Sequence, residues 1–365
     1  MDELQASLES EATEGHTDAV TGLLQAGAPV GDSLHNSIIS GHVETAAELL
    51  RHGVSLVAKD RLYNLTPMQL VANHVPAGKV KAVVDLLVAH GAVIDGTVSP
   101  SPLYLSVVPG NLSTAFALLA AGADAAYKSA GLGDTPVHQA ASLGCVDILI
   151  ALLGSRPDGV KFTDLGCSTP LHRACSASHS GVVDVLVDAS ADVEARDIFG
   201  QTPLVAAAAN CAVSAAVAIL KRGVDINAVD KNKHTALAYA AHNAGRKGAV
   251  DMVELLLRYG ADETKQDKDG RNALDVAGSW VGGDWVARAS DVGPIALVRA
   301  LLLQAPRDRA WKRRGCVVII RNAFVSSSII RLAVAQGGQA STWAGATAWL
   351  LGAPAEIFIE IVRFL

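Results

Sequence analysis

The sequence predicts an all-α solenoid of stacked helix-turn-helix units with projecting turns, followed by a short helical C-terminal tail. Two interlocked periods and one compositional bias predict it. Thr66-Pro67-Met68, Ser101-Pro102-Leu103, Thr135-Pro136-Val137-His138, Thr169-Pro170-Leu171-His172 and Thr202-Pro203-Leu204 recur with prolines 35, 34, 34 and 33 residues apart. Glycines keep a second beat: Gly15 and Gly27, Gly41 and Gly53, Gly110 and Gly122, and Gly248 and Gly260 are each 12 apart. Half of the 365 residues are hydrophobic, yet only 5 Trp, 5 Tyr and 6 Phe are aromatic. The apolar bulk is therefore Ala, Val and Leu, which suits close helix packing. Units of this length cannot bury an apolar face alone and must stack.

The elements follow in order. Residues 1–31 lack the Thr-Pro turn and are expected to cap the array, with Leu8 seven before Gly15 in the leucine slot. Asp32-Ser33-Leu34-His35 then fits the turn slot 34 before Pro67, and Thr235-Ala236-Leu237 and Asn272-Ala273-Leu274 continue it. In each unit Thr supplies an N-cap oxygen, and Pro at the first helical position has a fitting φ and no N–H to leave unpaired. A second helix carries pairs such as Leu49-Leu50, Leu118-Leu119 and Leu255-Leu256 and closes on a glycine (27, 53, 91, 122, 223, 260) suited to the left-handed helix end. Ser178 to Ser190 and Cys211 to Gly223 keep the beat of 12 with glycine replaced. Extra residues are expected around Asn73–Lys79 and Ala244–Lys247. A long insertion, Gly278 to Gly293, breaks the irregular last unit, 271–305.

These units resemble the ankyrin repeat family. Thr169-Pro170-Leu171-His172-Arg173-Ala174, Gly41-His42-Val43-Glu44 and Leu255-Leu256-Leu257-Arg258-Tyr259-Gly260-Ala261-Asp262 are similar to three successive parts of its consensus, over about residues 1–305. The resemblance implies a protein-interaction module whose turns project as fingers beside a concave groove. Candidate partner-binding residues on the fingers are then Leu62, Tyr63, Ile198, Phe199, Lys231 and His234. Trp280 and Trp285 in the last insertion are further candidates, as a lid for a partner or as a cover over the last helices.

After Pro306 the period disappears. Residues 306–340 run basic, then apolar, and 341–365 end in a segment opening with Pro354, with Ile357, Phe358, Ile361, Val362 and Leu365 on one helical face. Pro-x-Glu-Ile-x-x-x-Ile-Val-x-Phe-Leu resembles the first helix of an F-box, or a SOCS-box-like motif, with Ala353 where that motif has leucine. The resemblance implies a ubiquitin-ligase subunit docking on Ile357, Phe358, Ile361 and Phe364, making the chain a substrate adaptor. A plain capping helix folded onto the ninth unit is the alternative.

Composition narrows function further. The net charge is −6; eight Arg or Lys against three carboxylates make the chain after Pro306 +5, which leaves −11 for the body. An acidic body disfavours nucleic acid as the partner. No apolar run escapes charge for the length of a membrane span. The start lacks a secretory pattern. Five scattered cysteines suit a reducing compartment, the cytoplasm, or the nucleus through Lys312-Arg313-Arg314. Cys167, His172, Cys175 and His179 superficially resemble a zinc set. The register accounts for each separately: Cys167 and Gly200 share a turn slot, His172 repeats His35 and His138, Cys175 replaces a buried Ala, and His179 repeats His16 and His42. No metal, cofactor or catalytic residue is expected, since the chain has no G-x-S-x-G, no phosphate-binding lysine loop and no H-E-x-x-H.

Overall fold

In a computed structural model, residues 2–95, 100–278 and 292–305 are described. Helices come in pairs: α1 (Asp2–Glu14) and α2 (Thr17–Gln25), α3 (Ser33–Ser40) and α4 (Val43–Arg51), α5 (Pro67–Leu70) and α6 (Val80–Ala89), α7 (Pro102–Ser106) and α8 (Leu112–Ala120). The series continues with α9 (Pro136–Leu143) and α10 (Val146–Ser155), α11 (Pro170–Ala177) and α12 (Ser180–Asp188), α13 (Pro203–Ala209) and α14 (Val213–Leu220), α15 (Ala236–His242) and α16 (Ala249–Tyr259). The ninth unit has turns over residues 273–278 and then α17 (Val292–Gln304), which packs on α16. Among the described residues there is no strand; one isolated antiparallel bridge, Val229 to Thr235, pinches a finger turn.

Each first helix touches the first helix of the next unit, and each second helix touches the next second helix, from α1 and α2 through to α15 and α16. Two helical layers result, with one continuous core between them. The residue after each turn proline faces that core: Leu103, Val137 and Leu171 are fully buried, as are Leu8 and Leu34 in the units without the proline. Leu49, Leu118, Leu186 and Leu256 answer them from the second layer. Each such side chain contributes roughly 1.5–3 kcal/mol by leaving water.

Local chemistry starts and stops the helices where the spacing predicts. The hydroxyls of Thr66, Ser101, Thr202 and Thr235 accept from the N–H three residues on, at 3.3, 3.2, 3.4 and 3.1 Å. Gly260 closes α16 at φ +92°, and Ser190 takes the same left-handed conformation (φ +67°) at the end of the sixth unit. The extra residues at 73–79 lie in the link from α5 to α6, tied down by Asn73 donating to the Leu105 carbonyl at 2.9 Å. Besides the four-residue α5, two features depart from a uniform repeat. Helix α7 is cut to five residues because Pro109 follows, and a proline has no N–H and disfavours helix at the residue before it. A 3₁₀ turn, Pro157–Lys161, follows α10 because Arg156 stands where other units place the closing glycine.

Candidate functional site

The fingers are built around an aspartate. Asp164, Asp197, Asp230 and Asp267 each stand six residues before the first residue of a helix or helical turn, and Asp60 seven before Pro67. Asp197 Oδ1 accepts the N–H groups of Phe199 (2.9 Å) and Gln201 (2.8 Å). Asp230 does the same for Asn232 and His234, and Asp267 for Asp269 and Arg271. A carboxylate thus closes each of these turns. Burial pulls the Asp60 carboxyl up, but the N–H groups of Leu65, Tyr63 and Leu62 outweigh it and hold it below the usual carboxylate range. Burial likewise opposes Asp267, and hydrogen bonds from Arg271 and Asp269 prevail.

Successive fingers are stitched together through the main chain. Leu165 donates to the Leu132 carbonyl, Ile198 to Gly166, Lys231 to Phe199 and Lys268 to Asn232, at 2.9, 2.9, 2.9 and 3.1 Å. These bonds fix five tips in one row, from Leu132 to Lys268. Side chains along it lean on the preceding turn: a Cβ on Gly133 would come within 2.8 Å of Leu165, and one on Gly200 within 3.1 Å of Lys231.

A histidine relay ties the fingers of the sixth and seventh units to the helices behind them. His138 Nδ1 accepts the Thr135 N–H (3.2 Å) and its Nε2 lies 3.0 Å from the Ser168 carbonyl of the next unit. His172 repeats this between Thr169 and Gln201. Since Nδ1 accepts, the proton sits on Nε2 and donates to the carbonyl. Burial pushes both imidazoles below the ordinary histidine range. The sign follows directly: the unfolded chain binds protons that the folded one refuses, so stability present above about pH 6.5 falls as acid titrates the unfolded histidines. Asp60, Asp134 and Asp267 are shifted down and stay charged across that window. Melting temperature is therefore expected to drop between about pH 7 and pH 5, with a smaller drop in a His138→Asn, His172→Asn variant measured by circular dichroism.

The same contacts assign the remaining members of the cysteine–histidine set. His179 Nε2 lies 3.0 Å from the Ser142 carbonyl, Cys175 is buried in the core with its thiol pushed up by desolvation, and Cys167 is exposed at a left-handed turn position (φ +55°).

The predicted binding residues fall in three places. Leu62, 77 % exposed, and Tyr63, whose ring sits 4.1 Å from that of His74, form the tip of the third-unit finger. Ile198 and Phe199 (61 % exposed) and Lys231 lie on the stitched row. His234 is set back from the tips, 3.5 Å from both Asp230 and Asp267, and bridges two fingers. Trp280 and Trp285, and Ile357, Phe358, Ile361 and Phe364, lie outside the described residues. Two tips join the row without having been singled out by sequence, Leu132 (61 % exposed) and Leu165 (71 %). The signal that finds Leu165 is its place directly after a finger aspartate, where Ile198 stands one unit later.

On the opposite layer, Phe116 of α8 and Ile150 of α10 are half exposed in an open groove of about 680 Å³, with Leu112, Leu119 and Ala151 beside them. Among the described residues no helix is long and apolar enough to cross a membrane.

A stack of two-helix units with carboxylate-closed fingers defines a class, and comparison with known proteins agrees. The profile of ankyrin repeats in three copies matches residues 103–197, 159–230 and 204–289, about half the chain. The chain belongs to the ankyrin repeat family. It is 30 % identical over 187 residues to the mouse B-cell lymphoma 3 protein homolog, covering 48 % of this chain and 40 % of that protein. It is 32 % identical over 146 residues to human neurogenic locus notch homolog protein 1, covering 40 % of this chain and 6 % of that one. The crystal structure of the ankyrin repeat domain of Bcl-3, a unique member of the IkappaB protein family, is similar with a TM-score of 0.51 and 26 % identity, over 66 % of this chain and 98 % of that one. The chain thus spans less than half the length of these two relatives.

Proposed function

We propose that this chain binds a partner protein through the finger row and the concave face beside it, and performs no chemistry of its own. The observation that carries this is the row Leu132, Leu165, Ile198 and Phe199: large apolar side chains held in water on main chain already locked by hydrogen bonds. Exposed apolar surface on a rigid frame costs little ordering entropy to bind. The free thiols Cys145, Cys167, Cys175 and Cys211 suit a reducing setting, cytoplasm or nucleus. The alternative of a ubiquitin-ligase adaptor rests on Pro354 to Leu365 alone, outside the described residues, and nothing in the array adds to it.

The test is affinity purification of the full chain beside its Leu165→Ser, Phe199→Ser variant, with quantitative mass spectrometry of what each retains. Losing two anchors at the centre of an interface is expected to cost about 1–2 kcal/mol each, tenfold or more in affinity, with melting unchanged because both side chains are exposed. Partners retained equally by the two chains would place binding elsewhere.

A further inference from the structure

The first unit closes on three side chains that the finger row does not use. Helix α1 ends at Glu14, and Gly15, left-handed at φ +82°, turns the chain so that His16 folds back over the last turn of α1. His16 Nδ1 then lies 2.7 Å from Glu11 Oε2 and 3.4 Å from Glu14 Oε2, and one ligating atom from each residue falls within 4.8 Å of the others. The repeat register explains why this happens here. His42 and His179 fill the same slot in later units and reach back onto the unit before: His42 sits over Gly15, and His179 lies by the Ser142 carbonyl. Among the described residues no earlier unit stands behind His16, and its imidazole turns onto its own helix instead. The surroundings favour a cation. Glu11 and Glu14 stand in the last turn of α1, at the negative end of the helix dipole, and no basic residue shares that turn. Residues 1–50 hold nine Asp or Glu and no Lys or Arg. Arg51 is engaged by Glu48, and Arg61 by Glu9 and Asp32, so among the described residues His16 is the ion-pair partner left to Glu11 and Glu14.

We propose that Glu11, Glu14 and His16 bind a divalent cation of the zinc type, which fastens the end of α1 to the start of α2. Two carboxylate oxygens and one imidazole nitrogen suit zinc, whereas magnesium and calcium take oxygen ligands. Ligand atoms about 2.0–2.2 Å from a tetrahedral zinc stand about 3.3–3.6 Å from one another. Glu14 already keeps that distance from His16, and Glu11 needs to open by roughly 0.6 Å, which a side-chain rotation supplies. Three protein ligands leave the fourth position to water. All three belong to the first unit, so the ion stiffens the start of the array without touching the finger row. At this one place the proposal replaces the sequence expectation of no metal.

Calorimetric titration of the full chain with zinc, beside its His16→Gln and Glu14→Gln variants, tests this. The parent is expected to take up zinc that each variant binds about tenfold or more weakly. Zinc is also expected to slow hydrogen exchange in α1 and α2 of the parent and to leave α11 to α16 as they were. Both altered side chains are exposed, so without zinc the variants should melt like the parent. Reading the loss rather than the uptake keeps the exposed thiol of Cys167 from being mistaken for this site. Excess magnesium is expected to leave the zinc in place. No uptake by the parent, uptake that both variants keep, or exchange in α1 and α2 indifferent to zinc overturns the proposal. Displacement by magnesium also overturns it, since that reduces the three groups to an ordinary acidic surface. Equal protection of the parent and the His16→Gln chain removes the imidazole from the site, and the proposal falls with it.

Discussion

Leu171→Ala is expected to cost about 2–5 kcal/mol and to divide the array into two separately melting parts. Leu171 is fully buried in α11, which packs against α9 on one side and α13 on the other. Truncating it removes apolar contact from two inter-unit interfaces at once and leaves a cavity between them. In a stack where each unit touches only its neighbours, stability is a sum of unit and interface terms, and cooperativity passes through the interfaces. Weakening two adjacent ones at the middle lets the units before α9 and after α13 unfold independently. Urea unfolding followed by circular dichroism should then lose its single transition, and hydrogen exchange should accelerate first in α9, α11 and α13. Phe116→Ala, on the exposed side of α8, is the control and should stay within about 0.5 kcal/mol. A single transition in Leu171→Ala, displaced no further than in that control, would contradict this coupling.

The register of the array was legible in the sequence because backbone constraints write it. Proline at a helix start and glycine at a left-handed end answer to φ rather than to surroundings, so they survive where side chains drift. Substituted slots remained readable for the same reason: Ser178, Ser190 and Cys211 hold φ values of +67°, +67° and +55° at places the beat marks for glycine. The candidate site was legible only in part. Ile198 and Phe199 announce themselves as an apolar pair in a polar turn, but Leu132 is set between two glycines that draw the eye to the backbone. Exposure of a leucine is decided by which side of a turn it lands on, and for Leu132 that depends on main-chain bonds from Gly133 to Ser129 and from Ser129 to Asp134. His234 shows the converse. Its position reads as a tip, yet the buried carboxylates of two neighbouring fingers draw it inward. Such a contact joins residues 33 apart and leaves no trace in local composition.

The second large effect is expected at Gly144, where two units meet. Gly144 ends α9 at φ +74°, and a Cβ added there would lie 2.6 Å from Nδ1 of His179 in the next unit. Gly223, at the end of its unit, has nearly the same backbone (φ +78°) but open space where the Cβ would go. Gly223→Ala should therefore cost only the left-handed penalty, about 1–2 kcal/mol. Gly144→Ala should cost that and roughly 1–3 kcal/mol more, because the imidazole must leave its place over the turn and its bond to the Ser142 carbonyl. The chain carries this pairing elsewhere. Gly15 faces His42 at 2.4 Å in the same way, whereas Ser178 tolerates a side chain in the slot because Ala212, not histidine, follows in the next unit. Its hydroxyl meets Ser214 at 2.9 Å instead. Adding His179→Ala to Gly144→Ala should thus recover most of the excess over Gly223→Ala, a coupling that a double-mutant cycle in urea reads directly. Equal losses in Gly144→Ala and Gly223→Ala would mean that the imidazole yields freely. The glycine would then be kept for its φ alone, and the histidine would not fix the spacing between units.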